Sequence, residues 1–199
     1  GARTSCGIIS CACLNLPLDI QYKPENMYLS IIPGPCGPKL TELNHYIRPV
    51  VNDFVILWEC GVHFSKTATH ASGRNTCSAI GLVVCDLPGT RKVSQAASIS
   101  SHFYCTVCNC YHLTTLGRIN FDTADWTPKD ATATELCRHA EEWKNAPTVK
   151  DQEKAFKLNG IQWSELWWLP YRNPPPQLVV NSMHCLLEGL AQFHFREVL

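Results

Sequence analysis

Apolar residues recur along the chain in two rhythms that mark different elements. Over Leu40–Glu59, the residues Leu43, Ile47, Val50, Phe54 and Leu57 repeat at three- and four-residue spacing. This is the stripe of a helix with one buried face. Thr41 stands where an N-cap would, and Pro49 sits inside the stripe, so the helix is expected to kink or split there. Thr4–Leu14 (TSCGIISCACL) and Cys77–Asp86 are instead nearly unbroken apolar runs, the first bounded by Asn15-Leu-Pro17 and the second by Leu87-Pro88-Gly89. Both read as strands. The second has no polar alternation and is expected to be covered on both faces of a sheet.

Between these runs the pattern breaks down. Residues 17–39 are rich in Pro and Gly and contain Pro33-Gly-Pro-Cys-Gly-Pro38, which predicts a connection rather than an element. His63–Thr76 is polar and reads as a loop. Pro88 suits the first turn of a helix running towards Ser98. Thr132 and Glu135 have the capping-box spacing for a helix to about Asn145; Thr148 caps the next one, which stops at Asn159-Gly160. Trp163–Trp168 is an aromatic cluster suited to stacking bases, but its neighbours Ile161, Leu166 and Leu169 favour a core role. Gln177–Val180 is a short extended run, followed by a helix over Ser182–Leu199. Early strands, intervening helices and a helical C-terminal half predict an α/β or α+β domain.

At 199 residues, 45% apolar and 17% charged, the chain has the composition of one globular domain. Its 17 Lys and Arg balance 17 Asp and Glu. It therefore lacks the basic footprint of a nucleic-acid binder, and a DNA contact would need a local patch such as Arg91-Lys92. The 12 Cys raise the alternative of a disulfide-rich secreted protein. Against it, Gly1-Ala-Arg-Thr4 leads straight into strand-like sequence, and Cys11, Cys13, Cys77, Cys85 and Cys185 sit among apolar residues. There they act as small hydrophobes, so the expectation is a reduced, intracellular protein. No apolar stretch reaches the ~18 residues of a membrane span. The chain opens without Met and stops in Phe195-Arg-Glu-Val-Leu199, so it is expected to be a portion of a larger protein.

Three groups of residues could carry chemistry. Asp86, at the end of an apolar strand, is placed to hold a divalent cation, or simply to start a turn and cap the following helix. Cys105 and Cys108 have the spacing of half a zinc site, with Cys110 and His112 as the nearest further ligands; His102 precedes them, and Cys137 and His139 are distant candidates. The competing reading is two reduced thiols in a tight loop. His184 and Glu188 share a helix face at i, i+4, whereas His184 and Cys185 are sequence neighbours and cannot form a nucleophile dyad.

Seven stretches together resemble one group of proteins. They are Cys13-Leu-Asn-Leu-Pro17, Tyr22-Lys-Pro-Glu-Asn-Met27, Ile32-Pro-Gly-Pro35, Asn44-His-Tyr-Ile-Arg-Pro49, Val84-Cys-Asp-Leu-Pro88, Trp163-Ser-Glu-Leu-Trp167 and Met183-His-Cys-Leu-Leu-Glu-Gly-Leu190. Over nearly its whole length the chain resembles transposase-like proteins of fungal, especially basidiomycete, genomes related to En/Spm (CACTA-type) transposases. The resemblance implies an RNase H-like core of the DDE/D kind, in which three acids bind two Mg2+ or Mn2+ ions for phosphodiester cleavage and strand transfer. Asp86 matches the second acid, and Cys105 and Cys108 match a Cys pair that follows it. The first acid would lie ahead of Gly1. The third position, an Asp in relatives, is Asn181 here, with Glu188 as a substitute.

On this reading residues 1–199 are a single partial core. A zinc-stapled insert would span 99–128 and a helical insertion 129–176, with a return to the core over 177–199. The implied partner is transposon-end DNA in the nucleus; a homo-oligomer is compatible, and no membrane is involved. The loss of one acid implies a degenerate enzyme. The alternative is a domesticated DNA- or protein-binding module without catalysis.

Overall fold

The computed structural model describes residues 6–106, 108, 133–173 and 177–198. It is a mixed α/β structure with two compact units, Gly1–Tyr46 and Ile47–Leu199.

In the first unit, β1 (Gly7–Ala12) pairs antiparallel with β2 (Met27–Ile32), with Gly7 opposite Ile32 and Ala12 opposite Met27. Gly7 permits the close approach, because a Cβ there would lie 3.2 Å from the Ile32 side chain. β1 falls inside the expected Thr4–Leu14 run. The expectation of a bare connection over 17–39 needs correction, since that stretch holds α1 (Leu18–Gln21), a 3-10 turn (Pro24–Asn26) and β2. Pro17 directly precedes α1 and Pro24 opens the 3-10 turn. Their fixed φ starts these elements rather than breaking them.

The predicted stripe forms α2 (Leu40–Glu59), a single helix that runs through Pro49 without splitting. The carbonyl that loses its helical donor at Pro49 belongs to His45, which is exposed and can bond water instead. Leu43, Ile47 and Val51 are its buried positions.

In the second unit, His63–Thr76 is not a simple loop. β3 (Val62–Phe64) and β4 (Arg74–Thr76) form an antiparallel hairpin, with Val62 opposite Thr76. Gly73, at φ +84°, makes the return possible, because a Cβ there would run into the Phe64 carbonyl oxygen.

The apolar run 77–86 is strand only at β5 (Val83–Cys85), which pairs in parallel with β6 (Leu178–Val180). Its partner offers only three residues, and upstream N–H groups find other acceptors: Ser78 N donates to the Leu57 carbonyl and Ile80 N to the Tyr171 hydroxyl. Nor is the strand covered on both faces, since Val84 is 57% exposed.

Next comes α3 (Leu87–Ser94), which stops short of Ser98 because Gln95 turns left-handed at φ 60°. α4 (Ala133–Lys144) and α5 (Val149–Asn159) lie close to their expected bounds. The Thr148 hydroxyl accepts from Asp151 N, and Gly160 closes α5 at φ +67°. The Thr132 half of the expected capping box lies outside the described residues.

The aromatic cluster is core. Ile161, Trp163, Leu166 and Leu169 are buried, and Lys144 Nζ sits 3.8 Å over the Trp163 ring. A 3-10 turn at Glu165–Trp168 buries the Glu165 carboxylate, which accepts both arms of the Arg48 guanidinium at 2.8 and 3.1 Å. After β6 the chain is helical over Met183–Ala191 and His194–Val198 with wide π-type turns, and its apolar side chains stay exposed. Among the described residues no helix is long and apolar enough to cross a membrane.

Candidate acidic site at the paired strand ends

The geometry of β5 and β6 brings Asp86 and Asn181 together. The strands are parallel with Cys85 opposite Val180, and Asn181 N continues the ladder by donating to the Cys85 carbonyl at 2.8 Å. Asp86 and Asn181 are thus the first residues beyond the two strands, at their C-terminal ends, about 5 Å apart by the spacing of neighbouring strands. Both are half-buried.

Each also heads the helix that follows it. The Asp86 carbonyl accepts from Thr90 N at 2.8 Å, and its Oδ1 accepts from Gly89 N at 2.6 Å. The Asn181 carbonyl accepts from Cys185 N at 3.0 Å, and its Oδ1 accepts from Met183 N at 2.9 Å. Asp86 is therefore a helix N-cap, one of the two readings its sequence position allowed. Gly89 was not singled out from the sequence, yet it holds this corner: a Cβ there would fall 2.6 Å from Asp86 Oδ1 and 3.2 Å from Cys85 Cβ. The Asp-Leu-Pro-Gly string carried the signal, but Gly89 read as a turn breaker. Burial, and then the charge of Asp86, push the Cys85 thiol above its ordinary range.

Other candidates are dispersed. Glu188 Oε2 lies 3.8 Å from His184 Nε2, so the expected i, i+4 pair forms, on an exposed helix. Arg91 is buried, donates from Nη1 to the Ala97 carbonyl at 2.9 Å, and has its pKa lowered by desolvation. The expected Arg91-Lys92 surface patch is thus corrected, because burial of Arg91 leaves only Lys92 exposed.

The Sγ atoms of Cys105 and Cys108 lie 3.1 Å apart, and Cys108 N donates to Cys105 Sγ at 3.3 Å. That separation exceeds the ~2.05 Å of a disulfide and falls short of the roughly 3.7 Å that two thiolates adopt on tetrahedral zinc. Cys110 and His112 lie outside the described residues. Cys137 and His139 sit on α4, where Cys137 Sγ is 4.0 Å from Glu141 and His139 Nε2 is 2.7 Å from the Arg138 guanidinium. Among the described residues no three His, Cys, Asp or Glu side chains gather to hold a metal.

A family model described as Transposase family tnp2 matches residues 2–123, more than half of the chain. The chain belongs to this transposase family. No curated protein and no solved structure matches it. The matched span takes in β1 to α3, with Asp86, Cys105 and Cys108, whereas Asn181 and Glu188 lie beyond it.

The donor set at the strand ends can be tested against the two-cation centre implied by the resemblance. Asp86 Oδ1 is engaged by Gly89, which leaves Oδ2 for a cation, and Asn181 adds only a neutral amide oxygen. One carboxylate and one amide fit a single, weakly held divalent cation and not a pair. No cleavage step runs through these two residues alone.

Proposed function

We propose that the chain is part of the catalytic core of a DDE/D-type DNA transposase related to En/Spm (CACTA-type) elements of fungi. The core is RNase H-like, it acts on transposon-end DNA in the nucleus, and it is degenerate at its third acid. Self-association belongs to the same proposal. The observation that carries the reading is the parallel register of β5 and β6 within a transposase-family chain. It sets Asp86, which the resemblance would make the second acid, beside Asn181, which it would make the third.

In this reading Asp86 is a metal ligand positioned by its own helix cap, and a two-cation centre would need further carboxylates beside it. Mg2+ or Mn2+ would supply the activated water and stabilise the leaving oxygen. Cys105 and Cys108, with Cys110 and His112, would hold a structural Zn2+ that staples the insert. Asn181 weakens the centre because an amide carries no charge to offset the cations.

One observation favours a second reading, a domesticated DNA- or protein-binding module. Both Asp86 and Asn181 spend a side-chain oxygen on capping the next helix, a role that fully explains an Asn at position 181. Asn181→Asp in the full-length protein, assayed for Mn2+-dependent cleavage of DNA, separates the two. Rescued cleavage supports a recently inactivated transposase. Continued silence of a folded variant would count against it and for the binding module.

A further inference from the structure

A cavity of about 40 Å³ opens in the second unit, bordered by the segment after α3, the end of α5 and the start of β6. One water needs about 10–15 Å³ of such space, so it holds on the order of three waters or one anion of four or five heavy atoms, and excludes a nucleoside. Arg172 lines it with Phe103, Cys105, Thr106, Trp167 and Leu178, and among the described residues no carboxylate lines it.

Among the described residues Arg172 forms no ion pair with a carboxylate. Arg172 Nε is sealed from solvent and meets no hydrogen-bond acceptor among the described residues. Burial drives the guanidinium down to about 10 from its ordinary 12.5. Arg172 as a whole is half-buried; a partly desolvated cation without a paired anion is disfavoured, and an anion that accepts its hydrogen bonds relieves this. The serines that also border the cavity are already committed: Ser94 Oγ donates to the Arg91 carbonyl and Ser164 Oγ to the Val93 carbonyl. Of the donors left in the lining, Arg172 Nε is the charged one and the Thr106 hydroxyl a neutral one.

We propose that this cavity binds one small oxyanion of the phosphate class, gripped by Arg172 with help from Thr106. A planar guanidinium fork matches two oxygens of such an anion, and Phe103, Trp167 and Leu178 line the cavity with apolar surface. Free phosphate and a phosphate group of nucleic acid, its sugars left outside the mouth, present the same chemistry to the cavity. The site is independent of Asp86 and Asn181: Leu178 lies at the other end of β6 from Asn181, roughly 10 Å away along the strand.

The test is titration calorimetry on the whole chain, with inorganic phosphate in one arm and a short DNA strand lacking terminal phosphates in the other, at matched chloride ionic strength. Saturable binding in either arm is expected, and the arm that responds names the source. Arg172→Met should weaken it by about tenfold or more, and Thr106→Val by a few-fold, as expected for loss of a charge-assisted and a neutral hydrogen bond. If Arg172→Met does not fold, Arg172→Lys and Thr106→Val carry the comparison, with Lys weaker than Arg because it cannot present the fork. No binding in either arm, or equal binding by folded Arg172 variants, overturns the proposal.

Discussion

The backbone N–H of Asn181 donates to the carbonyl of Cys85 at 2.8 Å, which sets Asn181 beside Asp86, the next residue on the neighbouring strand. Two strand-to-helix corners of the same construction therefore stand side by side. In each, the first residue past the strand accepts a helical N–H on its carbonyl and a second N–H on its side chain. An acid occupies one corner and an amide the other.

The Asp86 corner depends on Gly89. Gly89→Ala is expected to push the Asp86 carboxylate off its cap, because the new Cβ would lie 2.6 Å from Oδ1. Loss of the cap should cost about 1 kcal/mol, measured by urea unfolding. Asp86→Ser, which can still cap, should retain most of that stability. Equal losses in Asp86→Ser and Asp86→Ala would mean that capping is not what Asp86 contributes.

Cys85 reports on the same charge. Its thiol is raised by burial and then by Asp86, so in the native state it stays protonated above the ordinary 9.0. The sign follows: its stabilising contribution is present below 9.0 and is lost as pH rises through the folded value. Asp86→Asn should lower the Cys85 pKa part of the way, since burial remains, and speed its alkylation between about pH 8 and 9.5. An unchanged pH–rate profile for Cys85 would contradict the contact.

The Arg48–Glu165 fork ties α2 to the aromatic core. Arg48→Ala removes two charge-assisted hydrogen bonds from a Glu165 side chain that is only 5% exposed. With Arg48 half in solvent, the expected loss is on the order of 1–2 kcal/mol. The Arg48 pKa is raised, first by its hydrogen bond to Glu165, so its contribution persists below the ordinary 12.5 and fades only above it. The stability difference between wild type and Arg48→Ala, followed by chemical denaturation, should therefore be flat from pH 6 to 9.

Helix ends were the part of the fold most legible in the sequence. Thr148 and Gly160 act through local rules, and the structure gives each its expected role in α5. Gly160→Ala should destabilise by about 1 kcal/mol or more, because φ is +67° and the added Cβ would sit 2.6 Å from Phe103 Cβ. The α2 stripe was legible for a similar reason, since a 3.6-residue period needs no knowledge of the partner.

What could not be read depended on partners distant in the chain. The apolar run 77–86 carries strand propensity throughout, but only Val83–Cys85 meets β6, and Ile80 is diverted to Tyr171. The β3–β4 hairpin pairs Val62-His-Phe64 with the polar Arg74-Asn-Thr76, all of them exposed, so it carries no alternation of buried and exposed positions to read. At the candidate site, Asp86 could be singled out as the end of an apolar run. Its pairing beside Asn181 is a matter of register, which composition does not encode.

The proposed function makes Asp86 and Asn181 two ligand positions of one degraded metal centre. Mn2+ binding, followed by electron paramagnetic resonance, tests it most directly in wild type, Asn181→Asp and the double variant with Asp86→Asn. Weak binding is expected in wild type, at least about tenfold tighter binding when Asn181 becomes a carboxylate, and loss of that gain when Asp86 is also changed. Folded Asn181→Asp protein that binds Mn2+ no better than wild type, or whose gain survives Asp86→Asn, would contradict it.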